Sequence, residues 1–237
     1  MRQDARVILR CLIAIGLVFS VTSAFAGELE KAKAEFAKHD RELNKVYQEL
    51  RRELPAELFK VLRQEQRDWI EYRDYIADWQ AFGKDLETST DRWSMRAELT
   101  RAQVGWLKMW RLRDQRKGWA GKYNDGHGGI LYIIKKGEVH HFGISVVRGP
   151  TFHLGDISGV LKIEGEKASF ETRAEPDAKL TTLTFSPVQD GSGRIQVEGK
   201  NTHWYHGARA YFDGQYIWAG ELTLQDRKEM ELWDELR

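Results

Sequence analysis

The chain of 237 residues carries one cysteine, Cys11, and that one falls inside an N-terminal apolar stretch. No disulfide can form within the chain, and beyond that stretch no thiolate is available as a nucleophile or a zinc ligand. H-E-x-x-H and G-x-S-x-G are both absent, which removes the zinc-peptidase helix and the serine nucleophile elbow. Gly126-His127-Gly128-Gly129 and Asp190-Gly191-Ser192-Gly193 lack the Lys and Ser/Thr that end a phosphate-binding loop. No basic block of five or six residues follows position 26, so the footprint of a nucleic-acid binder is missing. There is no internal repeat and no low-complexity segment. These absences leave a binding protein without catalysis or cofactor as the expected class.

What is present begins with a leader. Arg2, Arg6 and Arg10 precede an apolar run of signal-peptide length, and Ala24-Phe25-Ala26 supplies a small-x-small cleavage site. The run is short for a membrane span. Cleavage after Ala26 and a periplasmic or secreted location are expected, with no transmembrane segment in the mature chain. Losing the leader's three arginines and one aspartate moves the formal net charge from +1 to −1. Neither nucleic acid nor an acidic membrane surface is therefore an expected partner.

Residues 27–117 read as helical. Apolar residues recur at Phe36, Leu43, Tyr47, Leu50 and Leu54, and again at Leu58, Leu62, Trp69, Tyr72, Ile76 and Trp79. Steps of three, four and seven place each set on one helix face. Pro55 marks the corner between them, so the two helices are expected to run antiparallel with their seams facing. The first should begin near Glu28 and Glu30, whose charges suit a helix N-terminus. The second should stop at Gly83. Thr88-Ser89-Thr90-Asp91 has the spacing of a capping box and should start a third helix. Its stripe of Trp93, Ala97, Thr100, Val104 and Leu107 would cover the hairpin, with Trp106 and Trp110 left for a second domain.

The polar residues of this segment carry a family resemblance. D-x-x-L-N-x-x-Y at Asp40, Leu43, Asn44 and Tyr47, then Q-x-x-W-x-x-x-R-D at Gln66, Trp69, Arg73 and Asp74, resembles the N-terminal domain of the LprI-like lysozyme inhibitors. Glu98-Leu99-Thr100 with Leu107 is similar to the family's third helix, with Gln103 where its arginine stands. The likeness covers about residues 28–112. Family members carry cysteines near the domain start and after the R-D pair, where this chain has Tyr75-Ile76-Ala77. The resemblance implies an exported, non-enzymatic protein that binds a lysozyme-like partner and occludes its cleft. Asp40, Asn44, Gln66, Arg73 and Asp74 are then candidate binding residues. A second reading stays open: Asp40 or Asp74 pairs with Arg73 across the hairpin, while Gln66 and Asn44 satisfy backbone groups.

At Gly118 the texture changes to short β-branched and aromatic runs separated by glycine turns. Strands are expected at 130–134, 139–147, 159–163, 168–172, 180–185, 194–197, 208–212 and 216–219, with a tight hairpin at Asp213-Gly214. Residues 118–237 should form a small antiparallel barrel or sandwich of about eight strands. A short C-terminal helix would present Met230, Trp233 and Leu236. The fold class is thus α+β: an antiparallel three-helix domain followed by a β-rich one.

In that β half, His127 and the segment His203, Trp204, Tyr205 and His206 are the loop residues suited to contact a ligand. They could insert into a muramidase cleft, or the barrel could act as a cup for an envelope glycan or small ligand. No metal is expected. His140 and His141 are adjacent on a strand and point to opposite faces, and His203 with His206 lacks a third ligand nearby in sequence.

Overall fold

The computed structural model describes residues 4–235, with side chains for 27–231. Three long helices come first: α1 Asp4–Glu53, α2 Ala56–Trp79 and α3 Thr90–Met109, the last followed by a 3-10 turn to Gln115. Eight strands follow, β1 Gly121–Asn124, β2 Gly129–Lys136, β3 Val139–Arg148, β4 His153–Glu164, β5 Lys167–Thr172, β6 Thr181–Pro187, β7 Ile195–Lys200 and β8 Gly214–Gly220. Helix α4, Leu224–Glu235, ends the chain. The α+β reading holds, and the β half is a closed antiparallel barrel in which each strand pairs with the next and β8 returns to β1.

The helix ends follow their sequence signals. Pro55 is the N-cap of α2. α3 starts one residue after the expected Thr88–Asp91 box: the Ser89 hydroxyl accepts from Arg92 N, while Thr88 Oγ1 donates to Asp85 and Asp91 accepts from Lys84. Gly83, at φ +77, takes the left-handed conformation that turns the chain after α2. α1 differs from expectation: it is already running at Asp4 and passes Glu28 without a break. The export-signal expectation rests on residues 1–26, whose side chains lie outside the described ones.

The helical seam is shared differently from the expected hairpin. α1 and α2 meet little; both lean on α3, which forms a floor beneath them. Trp69, Trp106, Trp110, Leu50, Leu62 and Leu107 fill that junction. Side chains still bridge α1 and α2, with Tyr47 against Phe59 at 5.3 Å, and a groove lies between the two helices. Trp79, expected in the seam, is 45% exposed. Ala77 and Ala81 on either side of it are buried, so the packed face has moved off Trp79.

The barrel interior is a packed core. Phe142 meets Phe170 and Phe185 edge-on at 5.0 and 5.3 Å, surrounded by Leu131, Ile144, Leu183 and Val197. Gly159 makes room for this stack, since a Cβ there would lie 2.1 Å from the Phe170 ring. The interior is filled, as in other eight-stranded barrels of side-chain width, and the expected ligand cup is not there.

Two strand expectations need correction. β1 has no counterpart in the expected set; it is only four residues and opens on Gly121 at φ +142. Residues 208–212 are irregular instead of extended. Ala210 and Phe212 are buried without a strand partner, so aromatic alternation there reflects packing and not a ladder. Asp213-Gly214 is correspondingly no hairpin turn. The Asp213 carboxylate accepts from Gly199 N at 2.9 Å, and Gly214 opens β8 opposite Val197.

α4 docks on the outside of β2, where Met230 and Leu222 pack on Tyr132 and Ile134. Thr223 and Asp226 form a reciprocal capping box, with Thr223 N and Oγ1 donating to Asp226 Oδ2 and Asp226 N donating back to Thr223 Oγ1. Lys122 Nζ donates to Asp226 Oδ1 at 2.8 Å. The side chains of Trp233 and Leu236 lie outside the described residues.

Candidate functional site

Four of the sequence-selected residues come together. Asp40 and Asn44 from α1 face Gln66 and Arg73 from α2 across the groove, whose volume is about 340 Å³. Leu43, Tyr47 and Ile70 supply its apolar surface. Arg63 and Arg67 also line it. Sequence reading missed both, although with Gln66, Ile70 and Arg73 they recur at helical three- and four-residue spacing, which is the signal that finds them.

The contacts inside the groove answer part of the structural reading. Asn44 Nδ2 donates to Asp40 O at 2.9 Å and to Asp40 Oδ2 at 3.1 Å. Asp74 lies outside the groove and accepts from Arg73 Nε at 2.9 Å, while Arg96 Nε approaches the same oxygen at 3.2 Å. Arg73 therefore pairs with its chain neighbour and not across the hairpin. Its guanidinium also lies over the Phe36 and Trp69 rings at 5.5 and 5.3 Å. Burial pushes the nearby Arg96 below its ordinary pKa; the Asp74 charge opposes this, and the Arg73 and Arg92 cations add to it. Gln66 is 6% exposed, and its Oε1 accepts from Gln103 Nε2 at 3.0 Å. It thus satisfies another side chain instead of the backbone. Gln66 Nε2, Gln103 Oε1 and Thr100 Oγ1 have no hydrogen-bond partner among the described residues.

His127 is placed elsewhere, at the junction of helices and barrel. The Asp125 carboxylate accepts from His127 N and Gly129 N at 2.9 and 2.7 Å, an Asx-type closure that locks the glycine-rich loop. Arg148, 1% exposed, pairs with Asp125 and donates to His127 O and Tyr211 O. Tyr72 of α2 reaches the same His127 carbonyl at 3.4 Å, and burial raises its hydroxyl pKa. A second tie joins Arg194 to Glu65 of α2 at 2.7 Å, with the guanidinium over Trp110 at 5.3 Å. Trp106, packed on Gly126, completes the contact, so Trp106 and Trp110 do face the β half. This loop is structural fastening and is not free to insert into a partner.

His203, Trp204, Tyr205 and His206 form a separate 3-10 turn, Thr202–Tyr205, and its exit. His206 is held by Thr202 Oγ1 at 3.0 Å and stacks on Phe212 at 5.4 Å. His203 and Trp204 are exposed, Trp204 at 55%, while Tyr205 and His206 are half-buried. Among the described residues no three His, Cys, Asp or Glu side chains are close enough to hold a metal ion.

The feature hardest to foresee is a ridge of exposed aromatics at the end of α2. Tyr75 (55%), Trp79 and Phe82 (74%) follow one another there. Gln80 Nε2 donates to Pro150 O at 2.9 Å, which brings the β3–β4 turn and Phe152 beside α2. Phe82 and Phe152 both hold positive φ, +47 and +53, a conformation that bulky residues rarely adopt.

Residues 26–131 match the family model of lysozyme inhibitor LprI. The match takes in α2, α3, β1 and the first residues of β2, and it reaches further than the segment that the motifs cover. No curated protein and no solved structure matches the chain. The LprI family is one of non-catalytic inhibitors, and no described helix is long and apolar enough to cross a membrane.

Proposed function

We propose that this protein is an exported, non-enzymatic binder of a lysozyme-type muramidase that occludes the enzyme's glycan cleft. The observation that carries the reading is the LprI match over residues 26–131, which contains both the signature groove and the aromatic ridge of α2. Export with cleavage after Ala26 would leave a chain that begins on α1, with the groove intact.

The ridge is the surface we assign to the contact. Consecutive exposed aromatics on one helix end mark interaction surfaces better than isolated apolar residues do. Aromatic faces also suit a cleft shaped for sugar rings. The left-handed backbone at Phe82 and Phe152 costs on the order of 1–3 kcal/mol each. Strain of that size, spent on holding two exposed phenyl rings, accords with a contact that repays it. Muramidase activity measured with and without residues 27–237 tests the reading. Inhibition that saturates at one equivalent is expected; undiminished activity across a panel of muramidases would overturn it. The runner-up reading, a ligand cup in the barrel, finds no support in a filled interior.

A further inference from the structure

We propose that the α1–α2 groove is a binding site for a small acid that also carries an amide, the chemistry of an N-acetylated sugar acid or an N-acylated acidic dipeptide. The inference stands apart from the muramidase contact and concerns a different side of α2. Arg63, Gln66, Arg67, Ile70 and Arg73 share one helical stripe, and Tyr75 and Trp79 fall off it.

Charge comes first. Three guanidiniums border the groove against one carboxylate, Asp40. Arg63 and Arg67 make no hydrogen bond or ion pair with any described residue, and Arg73 commits only Nε, to Asp74. Unspent donors in a planar fork are suited to a carboxylate taken in two parallel hydrogen bonds. A volume of about 340 Å³ lies at the small end of ligand sites, enough for one sugar ring or two amino acids.

The floor supplies a second, independent observation. Gln66 borders the groove, is 94% buried by the same measure that leaves it 6% exposed, and carries an Nε2 with no acceptor. A buried donor left unpaired costs about 1–3 kcal/mol, and native proteins retain few of them without a reason. With Oε1 held by Gln103 Nε2, Nε2 is the atom of this amide left to donate to a ligand carbonyl. On the opposite wall Asn44 spends Nδ2 on Asp40, which leaves Asn44 Oδ1 and Asp40 Oδ1 to accept from a ligand N–H or hydroxyl. Leu43 and Ile70 offer the apolar surface that an acyl methyl needs. Acceptors to one side, donors to the other and a methyl between them describe an acylated amino acid or amino sugar with a free carboxylate.

The test is a titration of residues 27–237, followed by amide chemical shifts and calorimetry, with three probes. These are N-acetylmuramic acid, N-acetylglucosamine as its neutral counterpart, and N-acetyl-alanyl-glutamate. One of the two acids should bind at least about tenfold tighter than the neutral sugar, and which acid wins identifies the source. The exposed-site pair Arg63→Ser/Arg67→Ser should lose that preference while keeping the wild-type spectrum elsewhere, and Gln66→Leu should weaken both acids. Trp79→Ser should bind the acid as the wild type does. Equal affinity for acid and neutral sugar, no shifts from either acid at millimolar concentration, or unchanged binding in the Arg63→Ser/Arg67→Ser pair would overturn the proposal. A muramidase that remains inhibited in these variants separates this failure from failure of the inhibitor reading.

Discussion

The barrel and the helices solve the same packing problem in opposite ways. In the barrel, strand order closes without an edge and the interior is filled by interlocked rings and branched aliphatics. Its exposed apolar residues lie on strands and in loops, with Val147 and Leu154 paired across β3 and β4 next to Phe152. The helices instead leave a groove between α1 and α2, a glutamine pair with unused polar atoms, and a run of aromatics in solvent. A sheet that closes on itself has no freedom to do this, because every strand position is fixed by two neighbours. Three helices resting on one another can spare surface. On that contrast the barrel serves as the frame, and the helices held against it carry most of the surface to which the proposed contacts are assigned.

The sharpest way to break that division is at the fastening between the two parts. Replacing Asp125 with Ala leaves Arg148 buried without its carboxylate and frees the loop at His127. A loss of about 3–5 kcal/mol in denaturant unfolding is expected. Within the barrel, Phe142→Ala should cost about 3–5 kcal/mol for the ring and the cavity it leaves. The helical counterpart, Gln66→Leu with Gln103→Leu, should be neutral or stabilising, because both partners of a poorly satisfied buried pair become apolar together. If the glutamine pair costs as much as Phe142, the helices are held by that pair, and the contrast fails.

The docking of α4 gives a smaller effect with a defined sign. Burial alone would raise the Asp226 carboxyl, but hydrogen bonds from Lys122 and Thr223 outweigh it and hold its pKa at about 2. An unfolded aspartate titrates near 3.9. A depressed folded pKa means that the carboxylate's contribution is complete above about pH 4 and is lost as pH falls toward 2. Asp226→Asn should flatten the stability profile in that window, by at most about 2 kcal/mol after solvent screening. Smallest of all, Trp79→Ser should change stability by no more than about 0.5 kcal/mol, as exposed positions do, while weakening the muramidase contact.

The sequence showed what local chemistry controls. Pro55 placed the start of α2 and the Thr88–Asp91 stretch that of α3 to within a residue, and the spaced polar residues of α1 and α2 pointed at the groove before its walls were known. What failed depended on distant packing. The Trp69–Ile76 periodicity extends naturally to Trp79, and nothing local says that the buried face passes to Ala77 and Ala81 instead. Tyr211 and Phe212 look like strand, yet Phe212 is buried in the barrel core without forming a ladder. β1 is too short and too glycine-bound to be seen without β2 and β8 on either side. The unpaired Gln66 amide depends on Gln103, a residue 37 positions away and set where the resembling family carries arginine.

Calorimetric titration of residues 27–237 into a panel of muramidases tests the central claim most directly, with the double variant Trp79→Ser/Phe82→Ser titrated in parallel. The account predicts saturable binding to at least one muramidase, weakened by about tenfold or more in the ridge variant, with unfolding curves of the two proteins superimposed. Binding of equal strength by both proteins would place the contact elsewhere, and no binding to any member at micromolar concentration would contradict the inhibitor reading itself.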